Sequence, residues 1–258
     1  MKILLVDAFN LIRRIYEART HSSDLVSKAD MESIILASKQ SLARALRQHA
    51  VSHACVVFDS HDETWRHKLY PDYKGDRKPT PEPLINNLPL FEEAFTELGL
   101  MSLTVAGYEA DDVIATLAQG IVDNVPSAQV RILSTDKGFL TMLSPELKVC
   151  NHFTETELSA YEISEKYGVN FWQLTDYWAL AGDTSNHIKG IPKIGKKTAV
   201  TLLKKYETLE TILATDNPEA PVQRIQADAE LARMCRSLVT LKTDIELGIN
   251  LKDMRIKK

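Results

Sequence analysis

Short aliphatic and β-branched runs alternate with amphipathic stretches through the first half of the chain. The runs cover residues 3–6, 54–58, 101–105 and 130–133; the stretches between them cover 31–49, 84–98 and 110–122. Apolar residues at 110, 113, 114, 117, 118 and 121 repeat with a helical period. Strand and helix in alternation predict a mostly parallel central sheet covered by helices, an α/β fold. From about Ala160 the β-rich runs stop, and 173–181, 197–206 and 228–241 read as helices joined by short turns. We therefore expect an α/β unit over 1–155 and a helical region over 156–258, with a hairpin at 180–206. Residues 60–83 are densely charged and carry Pro71, Pro79, Pro81 and Pro83. They read as an excursion inserted into the α/β unit, spanning about 60–100.

At 258 residues, 44% hydrophobic and 26% charged, the chain falls among ordinary globular proteins rather than disordered or fibrous ones. Its early apolar run ends at Asp7, too soon for a signal segment, and nothing later approaches a membrane span, so a cytoplasmic location and no membrane partner are expected. Cys55, Cys150 and Cys235 are odd in number and form no CxxC pair, which argues against a disulfide framework or a thiolate zinc site and for reduced core thiols. A net charge of −4 does not suggest a DNA-coating protein, so the distribution of charge has to decide.

That distribution is uneven. Asp7, Asp59 and Asp136 each fall at or just past the end of a predicted strand, and Glu109-Ala110-Asp111-Asp112 opens the predicted helix at 110. In an open parallel sheet those strand ends converge on the ligand-binding edge. Taken singly, each acid reads as a turn former or a helix cap. Gathered on one edge they repel one another and call for cations. Oxygen ligands without Cys or His select a hard ion such as Mg²⁺ or Mn²⁺, which retains waters and takes one or two carboxylates directly. Asp111, central in its cluster, is the expected direct ligand, and such a site suits phosphoryl chemistry.

The second half carries the opposite charge. No acid occurs from Thr184 to Tyr206, where Lys189, Lys193, Lys196, Lys197, Lys204 and Lys205 fall. Gly190-Ile191-Pro192-Lys193-Ile194-Gly195 is a glycine-flanked apolar turn running into a helix near Lys196. A solvated lysine face is the plain alternative, but the turn and the helix start together suit a backbone grip on DNA phosphates without base reading. In the excursion, Arg66, Lys68, Lys74, Arg77 and Lys78 interleave with Trp65, Tyr70 and Tyr73, a composition that suits single-stranded nucleic acid.

The segments Trp65–Arg77, Gly107–Asp112, Ser134–Gly138 and Leu180–Ser185, with the Gly190–Gly195 turn, resemble the 5′-nuclease (flap endonuclease) family over essentially the whole chain. The length fits its short stand-alone bacterial members. The resemblance implies a PIN-like nuclease core with a helical arch, and a helical region bearing a helix-three-turn-helix element. It implies a hydrolase that cuts phosphodiester bonds near the junction of branched DNA carrying a 5′ single-stranded flap. On that resemblance Asp7, Asp59, Glu109, Asp111 and Asp112 belong to the first metal cluster, and Asp136 and Asp183 complete the metal-binding set for up to two Mg²⁺. Lys74 and Arg77 would contact the scissile phosphate, acting with Asp111 as the catalytic set. The carbonyls of Leu180, Ala181, Lys189, Ile191 and Ile194 would hold one K⁺, and Lys193, Ile194, Gly195, Lys196, Lys197 and Thr198 would face the duplex. A monomer is expected. Two positions depart from the family pattern: Gly138 and Asn186 stand where acids are usual. These losses weaken the second metal site and favour, as the alternative, a branched-DNA binding protein that cleaves little. A Mg²⁺ ribonuclease with a similar acidic edge is a third reading, which the long helical half argues against.

Overall fold

The computed structural model describes residues 1–20, 26–154, 156–157, 159–216 and 218–257. Among them, six strands form one sheet: β1 (Lys2–Asp7), β2 (His53–Val57), β3 (Met101–Leu103), β4 (Gln129–Leu133), β5 (Leu147–Asn151) and β6 (Thr156–Glu157). The order is β3-β2-β1-β4-β5-β6, parallel throughout except that β6 runs antiparallel to β5. The strand order reverses between β1 and β4, which opens a crevice beyond their carboxyl ends.

Successive side chains of β1 point to opposite faces, and both faces are dry. Leu4 and Val6 join Ala54 and Val56 under α1 (Ala8–Thr20), α2 (Lys28–His49), and a later helix at 88–96. Ile3 and Leu5 join Cys55 and Val57 under the helix at 110–124. This double burial explains why the strands read as unbroken apolar runs rather than alternating ones. The excursion and its return hold α3 (Trp65–Leu69), α4 (Glu82–Asn86) and α5 (Leu88–Thr96), the last being the helix at 88–96. Next comes α6 (Ala110–Asn124), and the helical half holds α7 (Ala160–Tyr167), α8 (Leu174–Ala181), α9 (Lys196–Tyr206), α10 (Leu209–Leu213), α11 (Ala220–Ala227) and α12 (Ala229–Val239). Leu180, Ile188, Ile191, Ile194, Ala199 and Leu203 share a second core there with Cys235 and Leu238 of α12.

The structure departs from the sequence expectation in four places. Helix α1 was not foreseen, although Ala8, Leu11, Ile12, Ile15 and Tyr16 are buried at helical spacing. Strands β5 and β6 were also missed, and β6 extends the sheet past residue 155. The excursion is narrower than 60–100, because Phe91 and Phe95 of α5 are completely buried in the core beside β1 and β2. Finally, the segment after α12 leaves the helices and returns to the sheet. Ala54 N–H donates to the Met254 carbonyl at 2.8 Å, and Lys257 N–H to that of Gly99 at 3.2 Å. The three cysteines are free and buried, as expected, and burial pushes the Cys55 thiol up to about 12. Among the described residues no helix is long and apolar enough to cross a membrane.

Candidate active site

Asp7, Asp59, Asp111 and Asp136 come together at the carboxyl edge of the sheet, lining a cleft of about 560 Å³. Asp7 ends β1 at the switch point, where its carboxylate accepts from Asn10 N–H (3.0 Å) and the Ser134 hydroxyl (2.9 Å). Asn10 and Thr135 bond each other through side chain and main chain, locking the β1 and β4 ends together. Asp59 accepts from Ala110 N–H (2.8 Å) at the start of α6, and Asp136 accepts from Gly138 N–H (2.7 Å). Among the described residues Asp111 has no hydrogen-bond donor at its carboxylate, although it sits half-buried beside Asp7 and Asp136.

The electrostatics follow from this crowding. Burial, then the neighbouring Asp59, raises the Asp7 carboxyl to about 7. Burial, then Asp136 and Asp7, holds the Asp111 carboxyl well above the ordinary range. Burial also raises Asp59, against the pull of the Ala110 N–H. Such a set either binds protons or binds a cation. Its donors are all oxygens, which suits a hard divalent ion. Among the described residues no three acidic, His or Cys side chains close tightly enough to cage an ion.

Not every acid of the cluster is short of charge. Arg66 is 2% exposed and directs all its donors inward. Its Nη1 and Nη2 grip Asp112 at 2.6 and 2.8 Å, Nη1 also meets Glu109 at 2.9 Å, and Nε and Nη2 reach the Leu238 and Thr240 carbonyls. Asp112, fully buried, additionally accepts from the Trp65 indole (2.8 Å) and Lys242 N–H (2.9 Å). Glu109 takes the Tyr73 hydroxyl at 3.0 Å and pairs with the Lys74 ammonium. Burial pushes Glu109 up, but Lys74 and Arg66 outweigh it and hold the carboxyl below its ordinary value. The excursion is thereby corrected in two respects: Arg66 is not a surface cation, and Tyr73, 4% exposed, is not a free stacking platform.

Lys74 and Arg77 do reach the cleft, together with Arg13, Arg14 and Lys78, so an acidic floor faces a basic wall. Lys74 adopts a left-handed backbone (φ 57°), its N–H donating to the Asn186 carbonyl at 3.0 Å. Asp183 lies apart, in a small recess bordered by Asp111, Asp136, Gly138 and Asn186. It is 3% exposed and accepts from Lys137 Nζ (2.5 Å), Ser185 N–H (3.0 Å), the Ser185 hydroxyl (2.7 Å) and Asn186 Nδ2 (2.8 Å).

The hairpin depends on two glycines. Gly182 (φ 84°) and Gly190 (φ 69°) cross backbone to backbone, and a Cβ on Gly190 would lie 2.3 Å from Gly182 N and 2.7 Å from the Leu180 carbonyl. Ile191 N–H donates to Leu180 and Ile194 N–H to Ile191. Gly195 precedes α9 with no side-chain cap, leaving the first N–H groups turned outward beside exposed Lys193, Lys196 and Lys197.

Sequence reasoning missed Arg66 as the internal counter-ion, and Ser134, Asn10 and Lys137 as partners of the acids. A buried arginine carries no local signal, because the residues that bury it lie at the start of α6 and the end of α12.

The chain is similar to known proteins in sequence and in fold. A Flap endonuclease Xni from Psychromonas ingrahamii is 39% identical over 261 residues, covering 98% of this chain and 96% of its own, and one from Vibrio atlanticus is 40% identical over 256 residues, covering 98% and 96%. The T5 D15 protein co-crystallised with metal ions superposes with a TM-score of 0.75 at 20% identity, over 94% of this chain and 90% of that one. The catalytic core of Rad2 in complex with DNA substrate superposes with a TM-score of 0.56 at 14% identity, over 98% and 83%. The model of the 5′-3′ exonuclease N-terminal resolvase-like domain matches residues 2–168, and that of the 5′-3′ exonuclease C-terminal SAM fold matches 169–258. With both halves matched in order, the chain belongs to the 5′-3′ exonuclease family.

Proposed function

We propose that the protein is a divalent-metal-dependent flap endonuclease that hydrolyses phosphodiester bonds near the junction of branched DNA. One observation carries the reading: Asp111 stands among crowded acids with no hydrogen-bond donor among the described residues, in the same cleft as Lys74 and Arg77. The names of its relatives, flap endonucleases over nearly the full length, support the same activity.

Asp111, Asp7, Asp59 and Asp136 would hold the ion, with Mg²⁺ the expected one. When bound it supplies charge for the phosphate oxygens and lowers the pKa of an attacking water. The chain's own residues do the rest. Lys74 and Arg77 meet the negative phosphate, Ser134 and Asn10 fix the Asp7 carboxylate, and Arg66 removes Asp112 and half of Glu109 from the competition for cations. Asp112 thus serves the site by anchoring α3 to α6. The lysines at Lys193, Lys196 and Lys197, with Ile194, Gly195 and Thr198, would lie along the duplex backbone. A K⁺ at the carbonyls of Leu180, Ala181, Lys189, Ile191 and Ile194 would bridge the hairpin to a phosphate; the carbonyls already bonded within the hairpin retain a second lone pair. A 5′ flap as the preferred branch and a monomeric, cytoplasmic enzyme complete the proposal.

The second reading, a branched-DNA binding protein that cleaves little, is favoured by Asp183, whose carboxylate is already satisfied by Lys137, Ser185 and Asn186. One assay separates the two. Wild-type protein and Asp111→Ala are incubated with a 5′-flap duplex and a matching RNA, with Mg²⁺ and with EDTA. Metal-dependent cutting of the flap, reduced by at least about 100-fold in the variant, is the expected outcome. Binding without cutting in either protein supports the second reading, and cutting of RNA alone overturns both.

A further inference from the structure

We propose that Asn186 is a positioning residue: its side-chain amide spans Asp183 and Arg77 and sets the Arg77 guanidinium against the acidic cleft. This rests on the nuclease reading above only for its effect on rate. Asn186 Oδ1 accepts from Arg77 Nη2 at 2.9 Å, and its Nδ2 donates to Asp183 Oδ2 at 2.8 Å. Only one orientation of the amide serves both neighbours, because a guanidinium only donates and a carboxylate only accepts. A carboxylate here would still receive Arg77, yet it would face Asp183 as anion against anion with no donor to offer. The departure from an acid at this position therefore has a local cause in this chain.

The support is rigid at one end and loose at the other. Asp183 is buried and also held by Lys137 and both polar groups of Ser185. Arg77 is exposed, and among the described residues no carboxylate lies within ion-pair distance of it; its other bond goes to the Ser185 carbonyl (Nε, 3.3 Å). An exposed arginine without such anchors spreads over many rotamers. The same loop holds the base of the excursion twice more, through Lys74 N–H on the Asn186 carbonyl and the His187 imidazole on Asp76. Asn186 thus relates the cation over the acids to the helical half that bears the lysine hairpin.

The test is a double-mutant cycle of Asn186→Ala and Arg77→Ala, read three ways. In single-turnover cleavage of a flap duplex with Mg²⁺, Asn186→Ala is expected to slow the reaction by about tenfold, and the double variant to be no slower than Arg77→Ala alone. Affinity for the same duplex in EDTA is expected to change by less than about twofold, separating rate from binding. Independently of any activity, ¹⁵N relaxation at Arg77 Nε in the metal-free protein should show an ordered side chain that becomes mobile in Asn186→Ala. Unchanged Arg77 mobility, or rate effects that multiply in the double variant, would overturn the assignment. A wild-type protein that cuts nothing while Arg77 still loosens would refute the nuclease reading and leave this one standing.

Discussion

Arg66 shows how much of the site rests on one side chain. Its five donors join α3, the start of α6 and the end of α12, all away from water. Removing one partner of a buried pair leaves an uncompensated charge, so Arg66→Ala is expected to cost about 3–5 kcal/mol, read as a drop in urea midpoint. Arg66→Lys should recover little, because a single ammonium cannot match a planar fork with two carboxylates and two carbonyls. A midpoint within error of wild type for Arg66→Ala would contradict this role. The sequence reads Arg66 with the other cations of the excursion because charged residues and aromatics surround it; only the fold shows that Asp112 and Glu109 close over it. Asp111, one residue from Asp112 and with the same side chain, lines the cleft while Asp112 is fully buried against Arg66, and what separates the two is which face of α6 each occupies.

Among the elements, α9 falls where the sequence reading places it, at Lys196–Tyr206 against the expected 197–206, since a glycine turn running into a lysine-rich helix is a local signal. Its construction adds a requirement that spacing did not disclose: Gly182 and Gly190 must lack side chains for the two backbones to cross. Exposed Lys196 and Lys197 then sit at the α9 start, whose N–H groups have no side-chain cap among the described residues. Lys196→Ala with Lys197→Ala is expected to weaken duplex binding and to flatten the plot of log affinity against log salt by about 1–2 units of slope, one for each phosphate that is no longer neutralised. Anisotropy titrations at several salt concentrations read it, and an unaltered slope would move the duplex elsewhere. Helix α1 and strand β5 were missed for different reasons. The first follows β1 with no turn to announce it, and the second is interrupted by the exposed Lys148, which breaks its apolar run.

For the molecule as a whole, gathering acids at one edge has a thermodynamic consequence. A carboxyl whose pKa is higher folded than unfolded binds its proton more tightly in the folded state, so stability falls as pH rises between the two values. For Asp7 that window runs from its ordinary 3.8 to about 7, and Asp59 and Asp111 shift in the same direction. Glu109, held low, acts oppositely but below its ordinary 4.5. The metal-free protein is therefore expected to melt at a lower temperature at pH 8 than at pH 5. Added Mg²⁺ should raise the melting temperature more at pH 8, where the carboxylates are ionised. A melting temperature that climbs from pH 5 to pH 8 without metal would mean that the acids are not crowded as described. The sequence alone determined the layered α/β class, the acids at strand ends and the lysine hairpin, because each is written in local periodicity and spacing. The tertiary structure alone decided which acids remain short of charge and which residues carry Arg77, because neutralisation acts over a few ångströms between residues as distant as Arg66 and Thr240 or Arg77 and Asn186, and no local pattern records that proximity.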